Sequence, residues 1–186
     1  TDGLKIYTTI DSRMQRAAEE AMEQHLTQLQ KSFFRQIKGR AAGPFYFQGV
    51  SSVAGANQIL TKAMKQTQRW QNLRSEGLSE AEATAAFKKP VEMKIFAWGG
   101  DRDTVLSPWD SIKYMKSIYQ VGLLSVEPQT GFIKAWVGGV DFKHFKYDAV
   151  RQGRRQVGST FKPFVYAAAI ADKKYSPCMQ VPNIQT

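Results

Sequence analysis

The amino-acid sequence predicts an α+β fold, and three observations carry that prediction. Apolar residues recur at helical spacing from Asp11 to Gly39, the period falls to two after Pro90, and two β-rich runs flank Pro128-Gln129-Thr130-Gly131.

Ile6-Tyr7-Thr8-Thr9-Ile10 is β-branched and reads as a short strand. Asp11 stands where an N-cap belongs, and Met14, Ala17, Ala18, Ala21, Met22, Leu26, Leu29, Phe33 and Ile37 draw the apolar stripe of one long helix ending at Gly39. His25 falls beside that stripe as a packed or half-exposed helix residue rather than a ligand. From Gly39 to Gly55 the chain is rich in Gly, Ser and Ala without a sustained period, so it reads as a loop. A second helix is expected from Asn57, with Ile59, Leu60, Ala63, Met64, Trp70 and Leu73 on one side. Ser79 with Glu82 forms a capping box for a short third helix that Pro90 must end.

Val91, Met93, Ile95 and Ala97 then alternate with Glu92, Lys94, Phe96 and Trp98, as in a strand with one drier face. Ser107-Pro108-Trp109-Asp110 combines an N-cap, a Pro at the first helical position and an acid, so a helix carrying Ile112, Met115 and Tyr119 follows. Gly122 to Glu127 and Phe132 to Gly138 make a hairpin, in which Pro128 presets φ and Gly131 takes the positive φ that closes the turn. The organisation expected is a junction strand and long helix over 1–30, a mostly helical insertion over 31–96, and an α+β region over 97–186.

The 186 residues carry 26 Lys plus Arg against 16 Asp plus Glu, a formal charge of +10. With 42% hydrophobic residues the chain can bury a core and is not a disordered tail. Its longest small or apolar run, Val165 to Ala171, is far shorter than a bilayer span. One cysteine, Cys178, excludes an internal disulfide framework and a multi-thiolate zinc site. The two histidines, His25 and His144, leave little for a His-based metal site or a Ser-His-Asp triad. Asp101 and Asp103 around Arg102 read as a solvated turn, and the Gly-Gly pairs at 99–100 and 138–139 lack the spacing of a phosphate loop. Basic residues are densest at Lys143, Lys146, Arg151, Arg154 and Arg155 around Asp148. That suits either a nucleic-acid surface or an envelope protein beside anionic polymer.

Ser-x-x-Lys occurs once, as Ser159-Thr160-Phe161-Lys162. Gly158 precedes it, and Phe161, Phe164, Val165, Ala168 and Ala169 describe the packed face of a helix that must begin close to Ser159, because Pro163 is tolerated only in a first turn. A Ser hydroxyl needs a base within hydrogen-bond reach, and a Lys serves where burial or nearby cations lower its pKa. A helix N-terminus adds N–H groups and a positive dipole that favour an oxyanion at an acyl carbon. These parts suit acyl transfer through a Ser ester. The bland alternative is a Ser that only caps its helix and a solvated Lys.

Arg155-Gln156-Val157-Gly158-Ser159-Thr160-Phe161-Lys162-Pro163-Phe164-Val165-Tyr166 closely resembles the active-site segment of class A penicillin-binding proteins, the bifunctional peptidoglycan glycosyltransferase/transpeptidases. The hairpin from Val126 to Gly139 is similar to the strand pair preceding that motif in the family, and Ile6 to Ala18 to the junction by which the family leaves its glycosyltransferase domain. Lys89 to Phe96 is similar to 1A-type members from Bacteroidetes-like bacteria. Val157 stands where the family usually has Pro. The family's Ser-x-Asn and Lys-Thr/Ser-Gly motifs occur nowhere in the chain.

The resemblance implies an incomplete penicillin-binding transpeptidase-like domain, of the serine β-lactamase-like fold, with a helical insertion. It implies Ser159 as acyl nucleophile and Lys162 as general base, stem peptides ending in D-Ala-D-Ala as substrate, β-lactams as inhibitors, and neither metal nor organic cofactor. It places the parent protein on the periplasmic side of the bacterial inner membrane, anchored by a segment outside these residues, with a possible envelope protein partner on the helical insertion and no nucleic acid. The chain reads as an excised piece, expected to be catalytically weak or dead alone. The rivals are a Ser-x-x-Lys β-lactamase or β-lactam sensor, and a non-catalytic binding module of the envelope; nucleic-acid binding ranks third.

Overall fold

The computed structural model describes residues 3–172 and 175–180. The chain divides into two compact units, Thr1–Gln152 and Gly153–Thr186. The first is α+β, as the sequence predicts, with one long helix, a small helical block and two separate two-stranded antiparallel sheets.

Helix α1 spans Ser12–Ile37, and the Asp11 carboxylate caps it by accepting the backbone N–H groups of Arg13 and Met14. The segment before it departs from expectation, because Ile6–Ile10 is not a strand. A strand needs a continuous facing backbone, whereas here the sheet edge is met at isolated points. The Thr9 hydroxyl donates to Ile133 O at 2.7 Å, the Asp11 N–H to Lys134 O at 3.0 Å, and the Gln15 amide both donates to Trp136 O and accepts from Trp136 N. Leu4, Ile6 and Tyr7 remain exposed.

A 3₁₀ turn, Gly43–Gln48, lies within the predicted loop. The predicted second helix starts earlier than expected and is two helices, α2 Val53–Lys65 and α3 Gln68–Ser75. Thr67 makes the break: its hydroxyl donates to Met64 O, closing α2, and accepts the Trp70 N–H, opening α3. Helix α4, Glu80–Phe87, has the capping box expected of Ser79 and Glu82, with both reciprocal bonds formed.

Strand β1, Val91–Ile95, pairs with β2, Arg102–Leu106, with Val91 facing Leu106 and Ile95 facing Arg102. Strand β2 is a correction to the reading of Asp101 to Asp103 as a turn. Its residues are mostly exposed, so no apolar alternation marks them; Asp103 lies opposite Lys94, at 3.7 Å. Helix α5, Pro108–Met115, begins at the Ser107 cap as predicted. Its Trp109 and Ile112 pack against two buried clusters, one of Ala42, Phe45, Ala56 and Leu60, the other of Met64, Trp70, Ala83 and Phe87. One short amphipathic helix thereby joins the helical block into a single core.

The predicted hairpin is β3, Leu123–Val126, and β4, Ile133–Val137, with a bulge at Ser125/Val126 and Gly131 at φ 73°. Helix α1 docks on this hairpin and, further along, on the chain leaving α5. There Gln30, almost fully buried, donates to Ser117 O at 2.8 Å and accepts the Tyr119 N–H at 2.9 Å. A one-turn helix, α6 (Ala149–Gln152), closes the unit.

Candidate active site

Unit 153–186 carries Ser159 and Lys162. Gly158, at φ +52°, turns the backbone into a conformation other residues rarely adopt, and a 3₁₀ turn follows over Gly158–Phe161. The Lys162 N–H donates to Ser159 O, and helix α7 runs Lys162–Ala171 with Pro163 in its first turn. Ser159 therefore stands one turn ahead of the α-helix. In a 3₁₀ turn residues i and i+3 eclipse, so Ser159 and Lys162 are brought to the same side of the chain. Both are exposed, and among the described residues no hydrogen bond joins the Ser159 hydroxyl to the Lys162 ammonium. The packed face expected of α7 is another correction. Phe161, Phe164 and Val165 are exposed, the rings of Phe161 and Phe164 lie 5.5 Å apart, and among the described residues of α7 Ala169 alone is half-buried. Helical periodicity shows which side can be buried, but burial needs a covering element.

In the first unit, the basic segment around Asp148 is organised by that carboxylate. Asp148 accepts the N–H groups of Val150 at 2.9 Å and Arg151 at 3.0 Å, capping α6, and the Trp136 indole N–H at 3.0 Å. The Arg151 N–H, followed by the Trp136 and Val150 donors, holds its carboxyl below the usual range. Asp148 leaves no room beside Gly138, where a Cβ would lie 2.7 Å from the carboxylate. Trp136 thus has a polar partner, whereas Trp70 is a core residue.

Asp101 sits exposed in the turn ahead of β2, as expected, but it is not without partners. Its carboxylate meets the Lys143 ammonium and, at 2.6 Å, His144 Nε2, and these partners keep its carboxyl low, Lys143 first. Lys146 lies 3.9 Å over the Phe142 ring. His25 is exposed on α1 rather than packed or half-exposed as expected, because it points away from the apolar stripe, and Cys178 is a free, exposed thiol. A hollow of about 460 Å³ runs between Glu19, Met22 and Glu23 of α1 and residues 136–148. Gln15, Gln30 and Asp148 are the residues that sequence reasoning missed; only Asp148, followed by Ala149-Val150-Arg151, carries a local cap signal. Among the described residues no helix is long and apolar enough to cross a membrane, and no three His, Cys, Asp or Glu side chains could hold a metal ion.

Comparison with known proteins places this geometry in context. Residues 42–119 match the family model "Penicillin-binding protein middle domain", a stretch that takes in the helical block, both strands of the first hairpin and α5. The chain is 29% identical over 199 residues to penicillin-binding protein 1A of Escherichia coli K12, covering 91% of this chain and 23% of that protein. It is 26% identical over 201 residues to penicillin-binding protein 1A of Neisseria flavescens, covering 92% of this chain and 24% of that protein. With penicillin-binding protein 1A of Neisseria gonorrhoeae the identity rises to 46% over 54 residues, 29% of this chain and 7% of that protein. The chain thus spans about a quarter of the length of the relatives it matches throughout. No solved structure is a significant match.

Proposed function

We propose that the chain is a piece of a class A penicillin-binding protein, forms part of a peptidoglycan synthase and carries the acylating serine of its D,D-transpeptidase; its likeness to the penicillin-binding protein middle domain and to penicillin-binding proteins 1A supports this. The observation that supports this most is Ser159-Thr160-Phe161-Lys162, set in the turn that opens a helix, in a chain related over nine-tenths of its length to penicillin-binding proteins 1A.

In this reading Ser159 Oγ attacks the penultimate D-Ala carbonyl of a stem pentapeptide while Lys162 Nζ serves as the base that takes the hydroxyl proton. The N–H groups at the start of the helix stabilise the tetrahedral oxyanion. Its collapse breaks the C–N bond, the proton passes to the departing amine of the terminal D-Ala, and an acyl ester remains on Ser159. An amine of a neighbouring stem peptide then attacks the ester, forming the cross-link amide and returning a proton to Ser159. A β-lactam acylates the same hydroxyl by opening its ring amide, so no leaving group departs.

The same reading takes residues 1–30 as the junction with a glycosyltransferase domain, 31–96 as a helical insertion able to receive an envelope protein partner, and 97–186 as the start of the transpeptidase domain. It locates the parent protein at the periplasmic side of the inner membrane. The 186 residues alone, which contain no Ser-x-Asn or Lys-Thr-Gly motif, are expected not to turn over substrate.

The test is intact-mass analysis of the longer protein carrying this chain after incubation with a labelled penicillin, beside its Ser159→Ala variant. One adduct per molecule that disappears in the variant supports the assignment. A well-folded protein that takes no label, or a variant that labels as well as the parent, refutes it.

A further inference from the structure

The ten residues between Gly138 and Ala149 leave the fold and re-enter it through one narrow neck. There the Ala149 N–H donates to Gly138 O at 2.6 Å, and the Asp148 carboxylate fills the space beside Gly138 while holding the Trp136 indole. A surface loop of this length whose ends touch is an Ω-loop. It also has its own internal turn, since Asp141 accepts the His144 N–H on its carboxylate and the Phe145 N–H on its carbonyl.

The tip of the loop is fastened separately, to the β1–β2 turn. Lys143 and His144 both meet the Asp101 carboxylate, and the His144 and Phe145 rings stand 6.0 and 5.4 Å from the ring of Phe96. The polar part of this attachment depends on the Asp101 carboxylate, which its two partners cover in part although the residue as a whole is exposed. Beneath the loop lie the 460 Å³ hollow along α1 and a smaller one of about 170 Å³ lined by Glu23, Phe96 to Asp101, Val140 and Asp141. The Trp98 indole N–H, on a residue lining the smaller hollow, is buried with no acceptor among the described residues. Such a donor favours any opening that admits water.

We propose that residues 139–148 form a hinged flap, permanently closed at its Asp148–Gly138 neck and latched at its tip by Asp101, whose release uncovers the hollow between α1 and the Phe96–Trp98 corner. Release of the latch also frees the internal turn at Asp141, whose bonds from the His144 and Phe145 N–H groups then open, while the neck keeps β4 and α6 in place. The flap does not depend on Ser159 chemistry.

Hydrogen exchange read by mass spectrometry on the whole chain tests this. In Asp101→Ala the amides of 140–147 are expected to exchange about ten-fold faster, the scale of losing a charge-assisted contact, with β4 and α1 unchanged. Exchange within about two-fold of the parent over 140–147 overturns the latch. Equal loosening of β4 and α1 overturns the hinge, because the loop is then part of the core. Should Asp101→Ala fail to fold, the Lys143→Met/His144→Gln pair removes the latch from the other side, with the same two refuting results.

Discussion

Replacing Gln30 by Leu tests how α1 is held to the rest of the first unit. The side chain is 1% exposed and bridges Ser117 O and the Tyr119 N–H. Leu has nearly the same volume and leaves no cavity, but it strands one carbonyl and one N–H. Each orphaned group costs about 1 to 3 kcal/mol, and the added apolar burial offsets roughly 1 to 2 kcal/mol. The net loss is about 2 kcal/mol, which at a urea m-value of about 2 kcal/mol/M lowers the unfolding midpoint by about 1 M. Urea unfolding followed by circular dichroism reads it, with Gln24→Leu on the exposed face of α1 as a control expected within about 0.5 kcal/mol of the parent. An unchanged or raised midpoint in Gln30→Leu would refute the reasoning, since water or another donor would then satisfy Ser117 and Tyr119.

Phe87→Ala, at a side chain 1% exposed between Met64 and Trp70, is expected to cost about 3 to 5 kcal/mol in the same assay, and a loss under about 1 kcal/mol would show the second cluster to be loosely packed. Gly138→Ala drives a methyl into the Asp148 carboxylate; a loss of about 1 to 3 kcal/mol with a shifted Trp136 indole resonance is expected, and an unmoved resonance contradicts the close approach. The Asp11 carboxyl, drawn down to about 2 by Arg13 and the N–H groups it caps, binds fewer protons in the folded chain than in the unfolded one. Its support of α1 is complete above about pH 4 and disappears as pH falls toward 2. The stability difference between the parent and Asp11→Ser should therefore shrink across that window, and a difference constant from pH 6 to pH 2 would exclude this role.

The elements set by contacts within a few residues were legible. Asp11, Ser79 and Ser107 announce their helices because a cap bonds N–H groups two or three positions on. The turn at Pro128 to Gly131 announces its hairpin because Pro and Gly restrict the backbone locally. The misreadings lie where distant partners decide. Thr67 is one polar residue inside an apolar period, yet its hydroxyl ends one helix and starts another. The Ile6–Ile10 run has strand propensity without a continuous facing edge. Strand β2 is polar on most positions, and its pairing with β1 is what makes it a strand.

The same division holds at the candidate site. The placement of Ser159 and Lys162 at the start of a helix was legible because the Gly before the motif and the Pro after it act within one turn. By itself the sequence determined the α+β class, the caps, the second hairpin and the three-residue spacing of Ser159 and Lys162. Only the tertiary structure decided that Gln15 and Gln30 serve as backbone partners for segments about a hundred residues away, that Asp148 braces Trp136, and that Asp101 holds the loop tip. The physical reason is that a side-chain amide or carboxylate has no preferred partner in sequence. Its energy depends on which unpaired donors and acceptors the folded chain brings within 3 Å or so and shields from water.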